Sequence, residues 1–128
     1  MRGLFGSLLV GVCVVGACAA PRATFASQAV QYRDQVLARY PPGQPWREPT
    51  DKLRSFERWL LGSPAPDGFA EEALARARTQ SNHLRTCWWG FVARQTIDSS
   101  LGALGSFVDY VFLDSDDRVV VAYRRLLD

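Results

Sequence analysis

Apolar residues recur with helical spacing in the chain that follows residue 20. Between positions 25 and 40 they fall three or four positions apart: Phe25, Ala29, Tyr32, Val36 and Tyr40. This spacing predicts a helix, which Thr24 or Ser27 can cap. Pro41-Pro42-Gly43 follows directly, so the helix is expected to end at about Tyr40.

Two further helices are predicted before residue 80. The second starts at residue 50 or 51 and stops at Gly62, with an apolar stripe of Leu53, Phe56 and Leu60. The third is shorter, is capped by Asp67 and carries Glu71 and Glu72 in its first turn, where the helix dipole favours acids. Its apolar side comprises Phe69, Ala73, Leu74 and Ala77.

The period of the apolar positions changes to two beyond Asn82, which predicts strands. Residues 85–94 alternate, and one face of this strand comprises Cys87, Trp89, Phe91 and Ala93. A loop of small residues is predicted from Asp98 to Ser106. Phe107 to Leu113 and Arg118 to Arg125 then form a hairpin across Asp114-Ser115-Asp116-Asp117.

A two-residue turn centred on Ser115-Asp116 would place Leu113 opposite Arg118. The buried face then pairs aromatic with β-branched residues: Phe112 with Val119, Tyr110 with Val121, and Val108 with Tyr123. The other face carries Val111 and is expected to be wetter, with Asp109 diagonal to Arg124 in a weak surface ion pair.

These elements predict an α+β fold. We expect two to three N-terminal helices packed on one face of a three-stranded antiparallel sheet, in a single domain over residues 21–128.

Residues 1–20 have the pattern of a signal peptide. Arg2 is followed by an uncharged stretch from Gly3 to Ala20. From Leu4 onward this stretch reaches about 25 Å as a helix, short of the roughly 30 Å hydrocarbon core. The sequence offers two alternative cleavage sites. Ala17-x-Ala19 fits ordinary secretion, whereas Val15-Gly16-Ala17-Cys18 resembles the lipobox of bacterial lipoproteins.

The lipobox resemblance implies that Cys18 is the lipid-attachment residue. Several acyl chains on one cysteine hold a domain on a membrane, since each buried CH₂ contributes about 0.8 kcal/mol. Cys13 is a weaker acceptor because Val12 precedes it, where the lipobox has a small residue. Ala19 stands where an aspartate would favour inner-membrane retention, so the expected location is the outer membrane, facing the periplasm.

Composition narrows the expected partners. Of 128 residues, 48% are apolar and 22% are charged, as in an ordinary globular protein. The net charge is only +2, which is too small for strong electrostatic binding to phosphates, so nucleic acid is not expected as a partner. The expected partners are the membrane, through the lipid anchor, and another protein.

The residues that could carry chemistry do not form a recognisable catalytic or metal-binding pattern. His83 has no companion histidine, and Asp114-x-Asp116-Asp117 lacks the glycine and glutamate of a calcium loop. Cys87 lies on the apolar strand face, and Glu71 and Glu72 are adjacent and so point apart on a helix. We therefore predict a protein that is not an enzyme and uses no metal or cofactor.

Three tryptophans are candidates for a partner surface, because large aromatic residues are enriched where proteins meet. Trp46 lies in a proline-rich loop, Trp59 lies beside the stripe of the second helix, and Trp88 points away from Trp89. They cannot all face one small core. Alternatively, the loop folds over the wetter sheet face and Trp46 covers Trp88.

Two further stretches of the chain, together with the lipobox, resemble a known family. Leu60-Leu61-Gly62-Ser63-Pro64 and the Asp-rich hairpin at 110–120 resemble the BamE/SmpA-like small outer-membrane lipoproteins. The resemblance implies helices followed by a three-stranded sheet, in a non-catalytic binding or scaffolding accessory of envelope machinery. A periplasmic inhibitor of a secreted hydrolase is the alternative, since a small sheet that presents aromatic residues can also plug a cleft.

Overall fold

The computed structural model describes residues 24–94 and 106–127, and these form an α+β fold. Its helices are α1 (Phe25–Gln31), α2 (Arg33–Arg39) and α3 (Gly68–Ala77), and its strands are β1 (Glu57–Leu60), β2 (Leu84–Ala93), β3 (Ser106–Asp114) and β4 (Val119–Leu127). The strands make one antiparallel sheet in the order β1-β2-β3-β4. The α+β class is confirmed. The leader with Cys18 and most of the predicted loop at 98–106 lie outside the described residues.

The predicted second helix is wrong, and the sheet has four strands rather than three. Residues 57–60 form β1, which pairs with β2 so that Trp59 lies opposite Cys87. Leu53 and Leu60, the expected apolar stripe, are 58% and 50% exposed. Strand pairing is favoured over a helix here because the backbone groups of β2 need hydrogen-bond partners on this side of the strand. Leu53 N–H supplies one of them, since it donates to Phe91 O at 2.9 Å. Gly62, with φ of 107°, turns the chain after a strand rather than after a helix.

The predicted first helix is present but is interrupted at Tyr32. Thr24 caps it as expected, since its hydroxyl accepts from Ser27 N–H at 3.1 Å. Tyr32 has φ of −104° and ψ of 7°, although Tyr32 N–H still donates to Gln28 O at 3.0 Å. The change of direction lets Phe25 in α1 pack on one sheet face while Val36 in α2 packs on the other.

The third helix is confirmed. Asp67 is its cap, because the Asp67 carboxylate accepts from Ala70 N–H at 2.7 Å. The buried residues of α3 are Phe69, Ala70, Ala73 and Ala77. The three alanines are small and let the helix lie close to the sheet. The Phe69 ring stacks on Tyr110 with 5.0 Å between the ring centroids.

The hairpin of β3 and β4 is confirmed, but its register differs from the predicted one. Phe112 pairs with Val121 rather than Val119, and Tyr110 pairs with Tyr123. The predicted two-residue turn is wrong because Asp117 also takes part, with a left-handed φ of 58°. The Asp114 carboxylate accepts from the N–H of Asp116 at 2.8 Å and so stabilises the longer turn.

This shift leaves most side chains on their predicted face, because moving a strand by two residues preserves the alternation. Tyr110, Phe112 and Val121 lie together in the cluster beneath α3. Val119 is the exception. The register changes again between Phe112 and Leu113, and Val119 therefore lies in the opposite cluster with Val111.

Both faces of the sheet are covered, which corrects the prediction of one wet face and of helices on one face only. Val111 and Leu113 are fully buried on the face that was expected to be wetter. They pack against Val36 of α2 and against Tyr40, which caps the end of that helix. The central strand β3 is therefore enclosed on both sides, and its burial pattern is nearly continuous.

A long segment, residues 41–56, crosses the second face, and we call it the strap. At one end Pro45 pairs with Arg118, and Trp46 N–H donates to Asp117 O at 3.0 Å. At the other end Lys52 pairs with Val92 of β2. The Glu48 carboxylate accepts from Phe56 N–H at 2.8 Å and holds the segment closed on itself. The strap therefore joins β4 to β2 over β3.

We expect Gly90→Ala to destabilise the protein by about 1–3 kcal/mol, because the added methyl overpacks the space under the strap. A Cβ at Gly90 would lie 2.7 Å from the Phe56 ring, which is buried and packs on Trp46. Chemical denaturation measures the effect. Gly68→Ala is the matched control, since nothing lies within 4 Å of its Cβ position. Equal stability of the two variants would contradict the packing described here.

Candidate docking groove

The three candidate tryptophans do not form one surface. Trp46 of the strap stacks on Trp88 with ring centroids 5.8 Å apart and an interplanar angle of 20°, and both rings are half-buried. Trp59 is buried on the opposite face, and its Nε1–H donates to Ser63 O at 3.1 Å. The structure therefore has the alternative arrangement, in which Trp46 covers Trp88, and Trp59 offers little area to a partner.

A buried ion pair lies on the strap side of the sheet, where a weak surface pair was expected. Asp109 is fully buried and directly opposite Arg124, whose Nε–H and Nη2–H donate to the carboxylate at 2.7 and 2.9 Å. Tyr40 donates its hydroxyl to the same carboxylate at 2.7 Å. The prediction of a solvated pair was wrong because α2 covers this face. These groups already have partners, so their geometry is that of a structural network.

The other titratable candidates either have hydrogen-bond partners within the fold or are exposed. Asp67 caps α3 and accepts from the Tyr110 hydroxyl at 2.8 Å. Glu71, Glu72 and His83 are exposed. Over the described residues, 24–94 and 106–127, no three His, Cys, Asp or Glu side chains come together as metal ligands would.

Cys87 is fully buried between Trp59 and the centre of the sheet. Burial raises the pKa of its thiol well above its ordinary value. Burial also raises the pKa of Tyr40, which is bonded to Asp109, and of Tyr110, which is bonded to Asp67, above the ordinary 10.0. All three groups therefore stay protonated in the fold at pH values where they ionise in the unfolded chain.

These shifts predict that the contribution of Cys87, Tyr40 and Tyr110 to the free energy of unfolding is constant up to about pH 8 and falls as the pH rises through the unfolded-state pKa values of about 8.5 for Cys and about 10 for Tyr. The sign follows because the folded state holds more protons than the unfolded state in this range. Denaturant titrations between about pH 8 and pH 11 measure the slope. Cys87→Ser should remove the part that begins near pH 8.5, and an unchanged stability up to pH 11 would contradict the prediction.

A groove of about 510 Å³ lies between the N-terminal helices and α3. Strand β4 forms its floor with Val121, Ala122 and Tyr123. We call this the docking groove, and its walls comprise Ala26, Ala29, Val30, Arg33, Asp34, Leu37, Arg76 and Gln80. Its volume lies in the range of binding sites, which is about 300–1,000 Å³.

The docking groove is lined by polar and apolar surface in about equal parts, with Val30 and Leu37 among its apolar side chains. Val30 is 76% exposed, more than Leu53 and Leu60, the other large apolar residues that the structure shows at the surface. Leu37 is partly buried beside it. The rim cations are Arg33 and Arg76. This groove was not predicted from the sequence, although Val30, an apolar residue outside the predicted helix stripe, was a signal of it.

A second cavity, of about 320 Å³, lies beside the strap and is lined by Tyr40, Trp46 and Arg47 among others. Arg39 also lines it, but the guanidinium of Arg39 is already paired with Asp51. The docking groove is larger than this cavity and carries the exposed Val30, so we take it as the candidate binding surface.

The helices of the described ranges are all too short or too polar to span a bilayer. Comparisons of the chain with protein-family models, with curated proteins and with solved structures found no match.

Proposed function

We propose that this protein is a non-catalytic accessory of the bacterial cell envelope whose folded domain binds another protein. In this proposal, a lipid on Cys18 holds the domain on the outer membrane, facing the periplasm. The docking groove is the observation that supports binding, because it is concave, its volume is in the range of binding sites, and Val30 is exposed on its wall.

The state of the buried polar groups supports a role without catalysis. The carboxylate of Asp109 is held by three donated hydrogen bonds from Arg124 and Tyr40. Asp67 is held by the end of α3 and by Tyr110. A catalytic acid or base needs a free position for the proton of a substrate, and these groups are used to tie helices to the sheet.

The position of Cys18 supports a role close to the membrane. The six Cα–Cα steps from Cys18 to Thr24 span at most about 20–22 Å in a fully extended chain. The docking groove begins two residues later, at Ala26. An anchor at Cys18 would therefore keep the groove within reach of proteins that are embedded in the membrane or bound to it.

The anchor is tested by metabolic labelling with a clickable fatty acid, followed by membrane fractionation. The wild type should carry the label and sediment with the outer membrane, and Cys18→Ser should lose both. Cys13→Ser is the matched control and should keep both. Label that persists in Cys18→Ser would contradict lipidation at this residue.

The binding role is tested by affinity capture of the lipidated protein from solubilised membranes. We expect components of outer-membrane machinery among the retained proteins. Retention of a single secreted hydrolase, with inhibition of its activity, would favour the inhibitor alternative instead.

A further inference from the structure

We infer that the docking groove binds an acidic, apolar segment of the partner protein, in which carboxylates flank a short run of apolar side chains. This inference rests on the proposed function and names the chemistry of the partner.

The apolar side chains in the wall of the groove favour an occupant that has apolar side chains of its own. Val30 is largely exposed on one wall, and Leu37 lies partly buried farther along the same wall. The floor residues Val121 and Ala122 are 5% and 2% exposed and belong to clusters on opposite faces of the sheet, so the floor itself offers an occupant little apolar area. A segment with leucine-sized side chains would instead cover Val30 and Leu37 on the wall. A flat bilayer surface would reach the rim and Val30 but not the floor.

The charges of the rim select carboxylates. Arg33 and Arg76 stand on opposite walls of the groove, at the start of α2 and in the last turn of α3. The ion pairs of the described residues involve other cations, namely Arg39, Lys52, Arg124 and Arg125. Asp34 is the one carboxylate in the lining, against two guanidinium groups. An occupant with acids on both sides of its apolar run would therefore complement the groove, whereas a basic occupant would be repelled.

The charge preference can be measured with two synthetic amphipathic peptides, one of leucine and glutamate and one of leucine and lysine. We use fluorescence anisotropy and the full-length lipidated protein in detergent micelles, with empty micelles as the blank. The wild type should bind the glutamate peptide at least tenfold more tightly than the lysine peptide. The double variant Arg33→Glu with Arg76→Glu should reverse this preference.

The matched control is a double variant with the same change of net charge at two positions outside the groove. Arg58→Glu with Arg85→Glu alters two exposed arginines on β1 and β2, and it should keep the wild-type preference. Equal loss in both double variants would show a general charge effect and overturn the inference. Equal binding of both peptides by the wild type would also overturn it.

Photo-crosslinking in cells identifies what occupies the groove. Val30→benzoylphenylalanine places the reactive group on the exposed wall, and mass spectrometry locates the attachment point. A protein segment with carboxylates beside apolar residues is the expected product. Attachment to lipid, to a second copy of this chain or to a basic segment would overturn the inference.

Failure of this inference is distinguishable from failure of the proposed function. If the Arg33→Glu, Arg76→Glu variant retains the membrane partner at the wild-type level, the groove is not the docking site, although the protein remains an anchored binding accessory. If neither the wild type nor this variant is lipidated, and neither retains a partner, the proposed function itself fails.

Discussion

Asp109→Ala is expected to destabilise the protein by about 3–5 kcal/mol, because removing one partner of a buried ion pair leaves the other charge uncompensated. The remaining Arg124 guanidinium is 7% exposed at its side chain and has little access to water. The Tyr40 hydroxyl would also lose its acceptor. Small domains have a total stability of about 5–15 kcal/mol, so chemical denaturation should show a large loss or complete unfolding.

The double variant Asp109→Leu with Arg124→Met provides the control. Replacing both charges with apolar side chains of similar size should be less destabilising than Asp109→Ala alone, because no buried charge is left unpaired. A loss below about 1 kcal/mol for Asp109→Ala would indicate a solvated pair of ordinary surface strength and would contradict the buried geometry.

Val111→Asp is expected to prevent stable folding, because it places an unpaired carboxylate among Val36, Tyr40 and Leu113. Val111 is fully buried at the centre of β3. The cost of burying a polar group without partners is several kcal/mol. Phe112→Asp, on the opposite face, should be equally severe, since both faces are covered. Thermal melts of the two variants measure this.

Arg85→Asp is the control for these two variants, because Arg85 is exposed on β2 and a carboxylate there stays in water. Its melting temperature should remain within a few degrees of the wild type. If Val111→Asp were as mild as Arg85→Asp, the second face would be wet and the packing of α2 and the strap on it would be wrong.

The same buried contacts shape the proposed docking groove. Tyr40 ties the end of α2 to Asp109 of β3, and Gln28 of α1 accepts from Leu126 N–H of β4 at 2.6 Å through its side-chain oxygen. These bonds fix the wall that carries Val30. We therefore expect variants that loosen the ion pair to weaken partner binding as well as stability, although Asp109 does not line the groove.

Local patterns in the sequence determined the elements whose stabilising contacts lie close together in the chain. The cap at Thr24, the cap at Asp67 with the short helix behind it, and the alternation that makes β2, β3 and β4 strands all depend on residues a few positions apart. The faces of β3 were also predictable, because alternation assigns each side chain whatever the exact register is.

Only the tertiary structure decided the features that depend on distant residues. Residues 57–60 became a strand because β2 offered its free backbone edge, and this outweighed the helical spacing of Leu53, Phe56 and Leu60. Tyr40 and Asp109, which are 69 positions apart, meet because α2 covers the second sheet face. The docking groove likewise exists only where α1, α3 and β4 come together. Periodicity shows that a side chain seeks an apolar neighbour or a partner, but which distant residue supplies it is determined by the packing of the whole fold.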